Sequence, residues 1–246
     1  MTDAKFIKPA LVVPYQAVIG IGLAVAIISA WVALLLFMTF GPVRALGWSI
    51  LAIAAQSWLT VGLFIIAHDA IHGSLAPGHR GINVFFGKFC LTIYAAFSYD
   101  KLRDEHFKHH AHVGTAGDPD FDDAHPRSFG PWFVTFMTRY STWHQPVYFA
   151  VGSIILVGIF KADPLRVALF WMVPALLSSV QLFYFGTYLP HRIEDAPFPD
   201  QHKARTMPWP WLVTLFTCFH FGRHHEHHAV PHVPWWRLPS VILRDE

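Results

Sequence analysis

Two long uncharged segments place the strongest limit on what this chain can fold into. The first runs from Leu11 to Phe40, thirty residues without a charged side chain, and the second runs from Leu46 to Ala67, twenty-two residues. An α-helix needs about 20 apolar residues to cross the hydrocarbon core of a bilayer. Only 14% of the residues are charged, against about 25% in a typical soluble domain. The chain is therefore predicted to be an integral membrane protein.

Four further apolar segments predict the rest of the architecture. Val147 to Phe160 and Leu165 to Leu189 are expected to form a second pair of spans, turning at residues 161–164. Ile82 to Tyr99 contains polar residues, so a re-entrant or interfacial helix is expected there. Met207 to Phe221 is short and contains two prolines, which favours a half-buried approach to the membrane over a full crossing.

These segments predict one all-α membrane domain over residues 1–246, with four transmembrane helices and both termini on the same face. Of the 18 Lys and Arg residues, only Arg44, Lys161 and Arg166 lie in the two loops expected on the opposite face. Because Lys and Arg are enriched in cytoplasmic loops, the face with the termini is predicted to be cytoplasmic.

Seventeen histidines are the main anomaly in the composition. Eight of them form three groups: His68 and His72; His106, His109 and His110; His224, His227 and His228. Residues three and four apart lie on one face of a helix, and each group lies where an apolar segment meets the predicted cytoplasmic face. The imidazoles are therefore expected to converge on a shared site, with His191, which follows the last predicted span, as a ninth member.

Nine imidazoles exceed the four ligands of a structural zinc ion and suit two metal ions with open coordination positions. Imidazole binds iron, copper, zinc and nickel, so ligand type does not select the metal. Nearby acids are expected to accept hydrogen bonds from the outer N–H groups of the histidines: Asp69, Asp104, Glu105, Asp118, Asp120 and Glu226. Asp122 and Asp123 are expected to be surface carboxylates.

Other features narrow the function. The net charge of +2, without a dense basic run, does not suggest a nucleic-acid partner. No glycine-rich dinucleotide motif follows a strand, and two cysteines are too few for an iron–sulfur cluster, so any electrons that the metal site uses must come from outside the chain. A metal transporter is the alternative of a different class. It needs ionisable residues in mid-span, whereas the histidines here collect at one face.

Cys90 and Cys218 are expected to be small buried hydrophobic residues. Aromatic residues near the histidines suit either a hydrophobic tunnel for an apolar substrate or an interfacial belt: Trp132, Phe133, Phe136, Trp209, Trp211, Trp235 and Trp236.

The histidine motifs resemble those of the membrane-bound histidine-box superfamily of fatty acid desaturases, hydroxylases and carotenoid oxygenases. Four longer strings are similar to those of its bacterial β-carotene ketolase branch: HDAIHGSL (68–75), HFKHHAHVGTAGDPDF (106–121), FGTYLPHR (185–192) and HFGRHHEHHAVPHVPWWRLP (220–239). One departure is the first motif, where the chain has HxxxH and many desaturases have HxxxxH.

The resemblance implies a di-iron centre that uses O2 to convert the carbon-4 methylene of a β-ionone ring to a ketone. The nine histidines would hold the two irons, with Asp69, Asp118 and Glu226 supporting them. It also implies a carotenoid substrate, a ferredoxin-type electron donor and a location in the bacterial inner membrane. A carotenoid hydroxylase or a lipid desaturase with the same metal site remains the alternative among enzymes.

Overall fold

The computed structural model describes Val13, residues 15–42 and residues 47–241. These residues form helices and connecting loops, with no β-sheet among them beyond one isolated bridge. The predicted all-helical fold is therefore confirmed for the described ranges. Three predicted features lie outside these ranges: the segment starts at Leu11 and Leu46, and the loop residue Arg44.

The described residues in the first half of the chain form four helices. In chain order they are α1 (Gln16–Phe40), α2 (Ser49–His72), α3 (Arg80–Ala95) and α4 (Tyr99–His112). α1 and α2 are each long and apolar enough to cross a membrane. α3 and α4 are bent by 102° relative to each other and form either one broken span or a re-entrant loop. This bent pair covers the segment for which a re-entrant or interfacial helix was expected.

The described residues of the second half form five longer helical elements and a 3₁₀-helix over Trp235–Ser240. The five elements are α5 (Phe129–Tyr140), α6 (His144–Ser153), α7 (Pro164–His191), α8 (Trp211–Cys218) and α9 (His224–Ala229). α6 continues as a π-helix over Ile154–Ile159, and α7 contains π-helical turns at Ala168–Met172 and Phe183–Tyr188. α7 is the third unbroken helix that could cross a membrane, while α5 and α6 form a second bent pair, at 79°. The described residues thus offer three to five candidate spans.

α2 lies at the centre of the bundle, packed against α1, α3 and α7. Its apolar residues surround the whole helix, which is the pattern of a core helix or a membrane span. Polar side chains join it to α1: Trp31 Nε1 donates to Thr60 Oγ1 at 2.9 Å, and Gln56 Nε2 donates to the carbonyl of Trp31 at 3.2 Å. Such interhelical hydrogen bonds satisfy polar groups that lipid cannot.

The described residues of the two loops that precede α2 and α7 lie at one end of the bundle. Arg166 Nη1 donates to the carbonyl of Gly41 at 2.7 Å, so the start of α7 contacts the end of α1. α2 and α7 both begin at this end and finish at the other, where His72 and His191 are their last residues. The histidines therefore collect at the end opposite these two loops.

Candidate metal centre

Local helix geometry aims the histidines of α2 and α4 at one another. His68 and His72 lie on the last two turns of α2, which ends at Gly73 with φ of 71°. That left-handed conformation favours glycine, and it turns the chain away directly after His72. α3 then returns the chain to α4, whose N-cap Ser98 accepts a hydrogen bond through Oγ from the N–H of Lys101 at 3.3 Å.

The structure brings all nine expected histidines together, in two groups within which the nitrogens lie no more than 4.8 Å apart. The five-histidine group consists of His68, His72, His106, His110 and His227. The four-histidine group consists of His109, His191, His224 and His228. All members of the four-histidine group are buried, whereas three members of the five-histidine group are partly exposed.

α4 and α9 each supply histidines to both groups. On α4, His106 and His110 belong to the five-histidine group, and His109 belongs to the four-histidine group. On α9, His224 and His228 belong to the four-histidine group, and His227 belongs to the five-histidine group. Neighbouring helical positions differ by about 100° around the axis, so a third histidine beside an i, i+4 pair points to a second centre. Each of the two helices therefore contributes to both groups and links them.

Nitrogen–nitrogen distances within the groups are short. His72 Nε2 lies 2.7 Å from His106 Nε2, and His110 Nε2 lies 3.1 Å from His227 Nε2. In the other group, His109 Nε2 lies 3.2 Å from the Nε2 atom of His228. Imidazoles bound to one metal at about 2.1 Å each have nitrogens at comparable separations. The convergence is that of a coordination sphere.

Several buried imidazole nitrogens lack a hydrogen-bond partner among the described residues. They include both nitrogens of His68, both of His224, His191 Nε2 and His228 Nδ1. A buried polar atom without a partner costs about 1–3 kcal/mol, so this many at one place would be strongly destabilising. Metal ions held between the imidazoles would satisfy one nitrogen of each ring, and the donor set fits two such ions.

Burial keeps the three α9 histidines that belong to the two groups neutral. Burial lowers the pKa of His224, His227 and His228 well below the ordinary value for histidine. At neutral pH each of these rings therefore carries no charge and has one nitrogen lone pair free for a metal ion.

Outer contacts fix the orientation of two histidines in the four-histidine group. His109 Nδ1 donates to Asp118 Oδ1 at 2.9 Å, and His191 Nδ1 donates to the carbonyl of Lys203 at 2.8 Å. Burial alone would raise the pKa of Asp118, but its hydrogen bonds with His109 and with the N–H groups of Gly114 and Asp120 hold it below the ordinary value. The ionised carboxylate thus leaves Nε2 of His109 facing the centre of the group.

The other two acids that the resemblance implied have different partners. Asp69 accepts a hydrogen bond from the backbone N–H of Trp235 at 3.1 Å and lies 3.6 Å from His68 Nδ1. It therefore joins the end of α2 to the C-terminal loop. Glu226 accepts hydrogen bonds from Arg223 and Thr206, so the structure directs its carboxylate away from the imidazoles.

Among the remaining acids, Asp104 and Glu105 are held in surface ion pairs on α4. Asp122, expected on the surface, is buried: it accepts hydrogen bonds from Thr135 and from His125. The burial of Asp122 is not predictable from the sequence, because its partner Thr135 lies on α5, which packs over the loop only in the folded chain.

Histidines outside the repeated spacing lie apart from the two groups. His220 is buried and shares a 2.8 Å hydrogen bond with Thr214, and His225 contacts Asp200 at 2.9 Å. His112 is exposed, with Nδ1 facing the carbonyl of Lys108. None of these rings supplies a nitrogen to either group.

A mostly apolar cavity ends at the histidines. It has about 950 Å³ of space free of protein atoms, including its open mouth. α2, α4, α5 and α7 contribute apolar lining residues, among them Phe64, Leu102, Phe136 and Leu182. Its polar end is formed by histidines from both groups: His68, His106, His109 and His224. An apolar molecule in this cavity would lie against both candidate metal positions.

Few of the aromatic residues expected to form a tunnel line this cavity. Of those seven, Phe136 does so, and Trp132 and Phe133 pack behind it in an aromatic cluster with Phe183. Both cysteines are buried and free, as predicted, and Cys218 lies at the cavity wall. The residues that sequence analysis missed, chiefly on α2 and α7, carry no signal other than hydrophobicity.

Comparison with known proteins identifies the family. The chain is 43% identical over 233 residues to the β-carotene ketolase of Paracoccus sp. (strain PC1), covering 92% of this chain and 93% of that protein. It is 46% identical over 228 residues to the β-carotene ketolase of Paracoccus sp. (strain N81106 / MBIC 01143), covering 89% and 90%. A zeaxanthin 4-ketolase of Chlamydomonas reinhardtii is 36% identical over 244 residues, covering 90% of this chain and 52% of that protein.

The family model for fatty acid desaturase matches residues 42–151 and 135–245. These two matches include every histidine of both groups. The matched length and the identity to the curated relatives agree with the histidine geometry, and the chain belongs to the fatty acid desaturase family.

Proposed function

We propose that this chain is a β-carotene 4-ketolase, a membrane oxygenase that converts the carbon-4 methylene of each β-ionone ring to a ketone. The observation that carries the proposal is the apolar cavity that ends at histidines of both groups. Its apolar lining, with imidazoles at one place, suits a hydrocarbon that presents one ring to a metal centre. The relatives named β-carotene ketolase, which match about nine-tenths of the chain, support the same substrate.

The nine histidines would hold two iron ions, one in each group. When bound, the iron pair would supply reductive activation of O2 and removal of hydrogen from carbon 4 of the ring. The protein's own part is to keep His224, His227 and His228 neutral by burial, to orient His109 through Asp118, and to hold His191 through the carbonyl of Lys203. The apolar walls exclude water and hold the ring against the histidine end.

Two successive hydroxylations followed by loss of water account for a ketone. Each hydroxylation consumes one O2, two electrons and two protons and releases one water. After the first, the remaining C–H bond at carbon 4 is allylic and next to oxygen, so it is weaker than the bond already broken. A ring held in the same cavity therefore reacts again, and the resulting geminal diol loses water to give the conjugated carbonyl.

The electrons would come from a separate ferredoxin-type protein. Both cysteines are buried and free, and the chain has no nucleotide-binding motif. We further infer four spans: α1, α2, α6 with its π-helical extension, and α7. The histidine groups would then face the cytoplasm from a bacterial inner membrane, because most Lys and Arg residues lie on that side of the predicted topology.

The direct test is pigment analysis of a β-carotene-producing bacterium that expresses this chain. The expected products are echinenone and then canthaxanthin, with 4-hydroxy carotenoids only as intermediates. The same strain carrying His228→Ala serves as the control and should keep β-carotene unchanged, because His228 belongs to the four-histidine group. Accumulation of 3-hydroxy carotenoids without ketone would support the hydroxylase alternative, and new double bonds in lipids would support a desaturase.

The shape of the cavity gives a second prediction, which concerns Gly186. Gly186 lines the cavity, and a Cβ atom placed there would meet no atom within 4 Å. Gly186→Leu should therefore fold normally but fill space that the ring needs, lowering ketone formation about 10- to 100-fold. The measurement is ketone formed per unit of protein, together with the metal content, which should not change.

Gly158 provides the matched control. It also lies in a π-helical segment and also has open space at its Cβ position, but it is exposed and does not line the cavity. Gly158→Leu should retain full activity. Equal losses in the two variants, or no loss in Gly186→Leu, would show that the ring does not occupy this cavity.

A further inference from the structure

One wall of the cavity is polar without belonging to either histidine group. Asp120 and Tyr140 lie there together, beside His109. Among the described residues that line the cavity, Asp120 is the only carboxylate. Its side chain is 13% exposed. A largely buried carboxylate beside an apolar cavity is costly unless its oxygens accept hydrogen bonds, so the partners of Asp120 are informative.

Residues of α5 hold Asp120 in place through hydrogen bonds to its side chain and to the backbone around it. Tyr140 Oη donates to Asp120 Oδ1, and Trp132 Nε1 donates to the backbone carbonyl of Asp120 at 2.7 Å. Arg139 Nη1 donates to the carbonyls of the two flanking residues, Pro119 at 2.7 Å and Phe121 at 2.6 Å. The backbone on both sides of Asp120 is thereby fixed to α5.

The second carboxylate oxygen of Asp120, Oδ2, is free to accept a hydrogen bond. Oδ2 lies 3.9 Å from His109 Nδ1, too far for a hydrogen bond, and that nitrogen already donates to Asp118. The described residues provide no donor to Oδ2 within hydrogen-bond distance. Asp120 is therefore an oriented acceptor, next to the four-histidine group, whose unfilled position suits a donor from a bound molecule.

Asp122 shows the contrast on the same loop. Its Oδ2 accepts from Thr135 Oγ1 at 2.9 Å and from His125 Nδ1 at 3.2 Å, and its Oδ1 accepts from the N–H of Ala124 at 3.1 Å. Both oxygens are thus satisfied by the protein, and Asp122 does not line the cavity. Asp122 therefore has hydrogen-bond donors for both of its carboxylate oxygens, whereas Asp120 has a donor for Oδ1 only.

We propose that Asp120, positioned by Tyr140, accepts a hydrogen bond from a hydroxyl group on the carotenoid ring. This inference rests on the proposed function. β-Carotene itself has no hydroxyl, but the first oxidation creates one at carbon 4, and a ketone forms only if that alcohol stays bound or binds again. A hydroxyl already present at the neighbouring carbon 3 offers the same chemistry. Asp120 would therefore be a specificity-determining residue that retains hydroxylated rings.

The experiment compares three substrates with the iron-loaded full chain in lipid: β-carotene, 4-hydroxy-β-carotene and the 3-hydroxylated carotenoid zeaxanthin. Asp120→Asn replaces the free acceptor with an amide of the same shape, and Asp122→Asn is the matched control. kcat/KM is measured for each substrate. Equilibrium binding of each carotenoid is measured without O2 or reductant, so that affinity is obtained in the absence of turnover.

We expect Asp120→Asn to lower kcat/KM and affinity for a hydroxylated ring about 10- to 100-fold relative to β-carotene, the range for one hydrogen bond to a charged acceptor. 4-Hydroxy intermediates should then accumulate from β-carotene. A loss confined to the 4-hydroxy substrate identifies the carbon-4 hydroxyl as the donor, and a loss confined to zeaxanthin identifies the carbon-3 hydroxyl. Asp122→Asn should leave all ratios unchanged.

An equal loss on all three substrates would overturn the inference, because Asp120 would then act only on His109 or on folding. Unchanged ratios in an active Asp120→Asn protein would overturn it as well. If Asp120→Asn fails to fold, Tyr140→Phe tests the same contact by freeing the carboxylate to move, and it must change the same ratios. A wild-type chain that forms no ketone from any of the three would refute the proposed function itself.

Discussion

Replacing His227 with alanine should abolish ketone formation and remove one of two metal ions. His227 is buried, with Nε2 lying 3.1 Å from His110 Nε2, and its ring packs 4.5 Å from that of His68. Alanine offers no ligand atom and leaves a gap that no neighbour fills. Loss of an outer partner of a metal ligand alone costs about 10- to 100-fold, so loss of the ligand should exceed that and leave no measurable product.

Metal content and pigments measured on the same purified protein distinguish this effect from misfolding. The four-histidine group contains no contribution from His227, so it should keep its ion. His112→Ala is the control on the neighbouring helix, because His112 is exposed and belongs to neither group. It should retain both ions and full activity. Comparable losses in the two variants would mean that helix spacing identifies the wrong histidines.

The purified chain should contain two iron ions, and their removal should eliminate all activity. Nine histidines in two separate groups exceed a single coordination sphere. Treatment with a strong chelator should remove both ions and stop ketone formation. It should also lower the melting temperature, because the buried imidazole nitrogens of His68, His191 and His224 would lose their partners.

Reconstitution determines which metal is required. Ferrous iron under reducing conditions should restore ketone formation, whereas zinc should restore only the melting temperature, because zinc has no redox chemistry. Elemental analysis of protein never exposed to chelator provides the stoichiometry. A single zinc with no iron, or activity restored by zinc alone, would refute the di-iron proposal.

The membrane helices were predictable because their signal is local. α1, α2 and α7 correspond to the first, second and fourth predicted spans, since a long uncharged apolar segment has few other stable structures in a bilayer. The third predicted span, Val147 to Phe160, is less simple: α6 and its π-helical extension qualify as a span only together with α5, across a 79° bend. A bend depends on packing, which apolar composition does not report.

The acids show the limit of the same reasoning. Proximity in sequence suggested Asp69, Asp118 and Glu226 as partners of the histidines. Asp118 contacts His109, while Glu226 pairs with Arg223 and Thr206 instead. The buried position of Asp122 and the pairing of Asp120 with Tyr140 also depend on α5 packing over the loop. The hydrogen-bond partner of a carboxylate depends on which residues lie near it in the folded chain, and a single sequence does not reveal this.

The sequence by itself determined that the chain is helical and membrane-embedded and that nine histidines form a common set, because hydrophobic length and i, i+3, i+4 spacing are properties of single helices. The tertiary structure decided how that set divides. His109 belongs to the four-histidine group, unlike His106 and His110 on the same helix. His227 belongs to the five-histidine group, unlike His224 and His228. Helix spacing fixes the angle between two side chains on one helix. Which of the two groups each histidine joins depends on how α4 and α9 pack against each other.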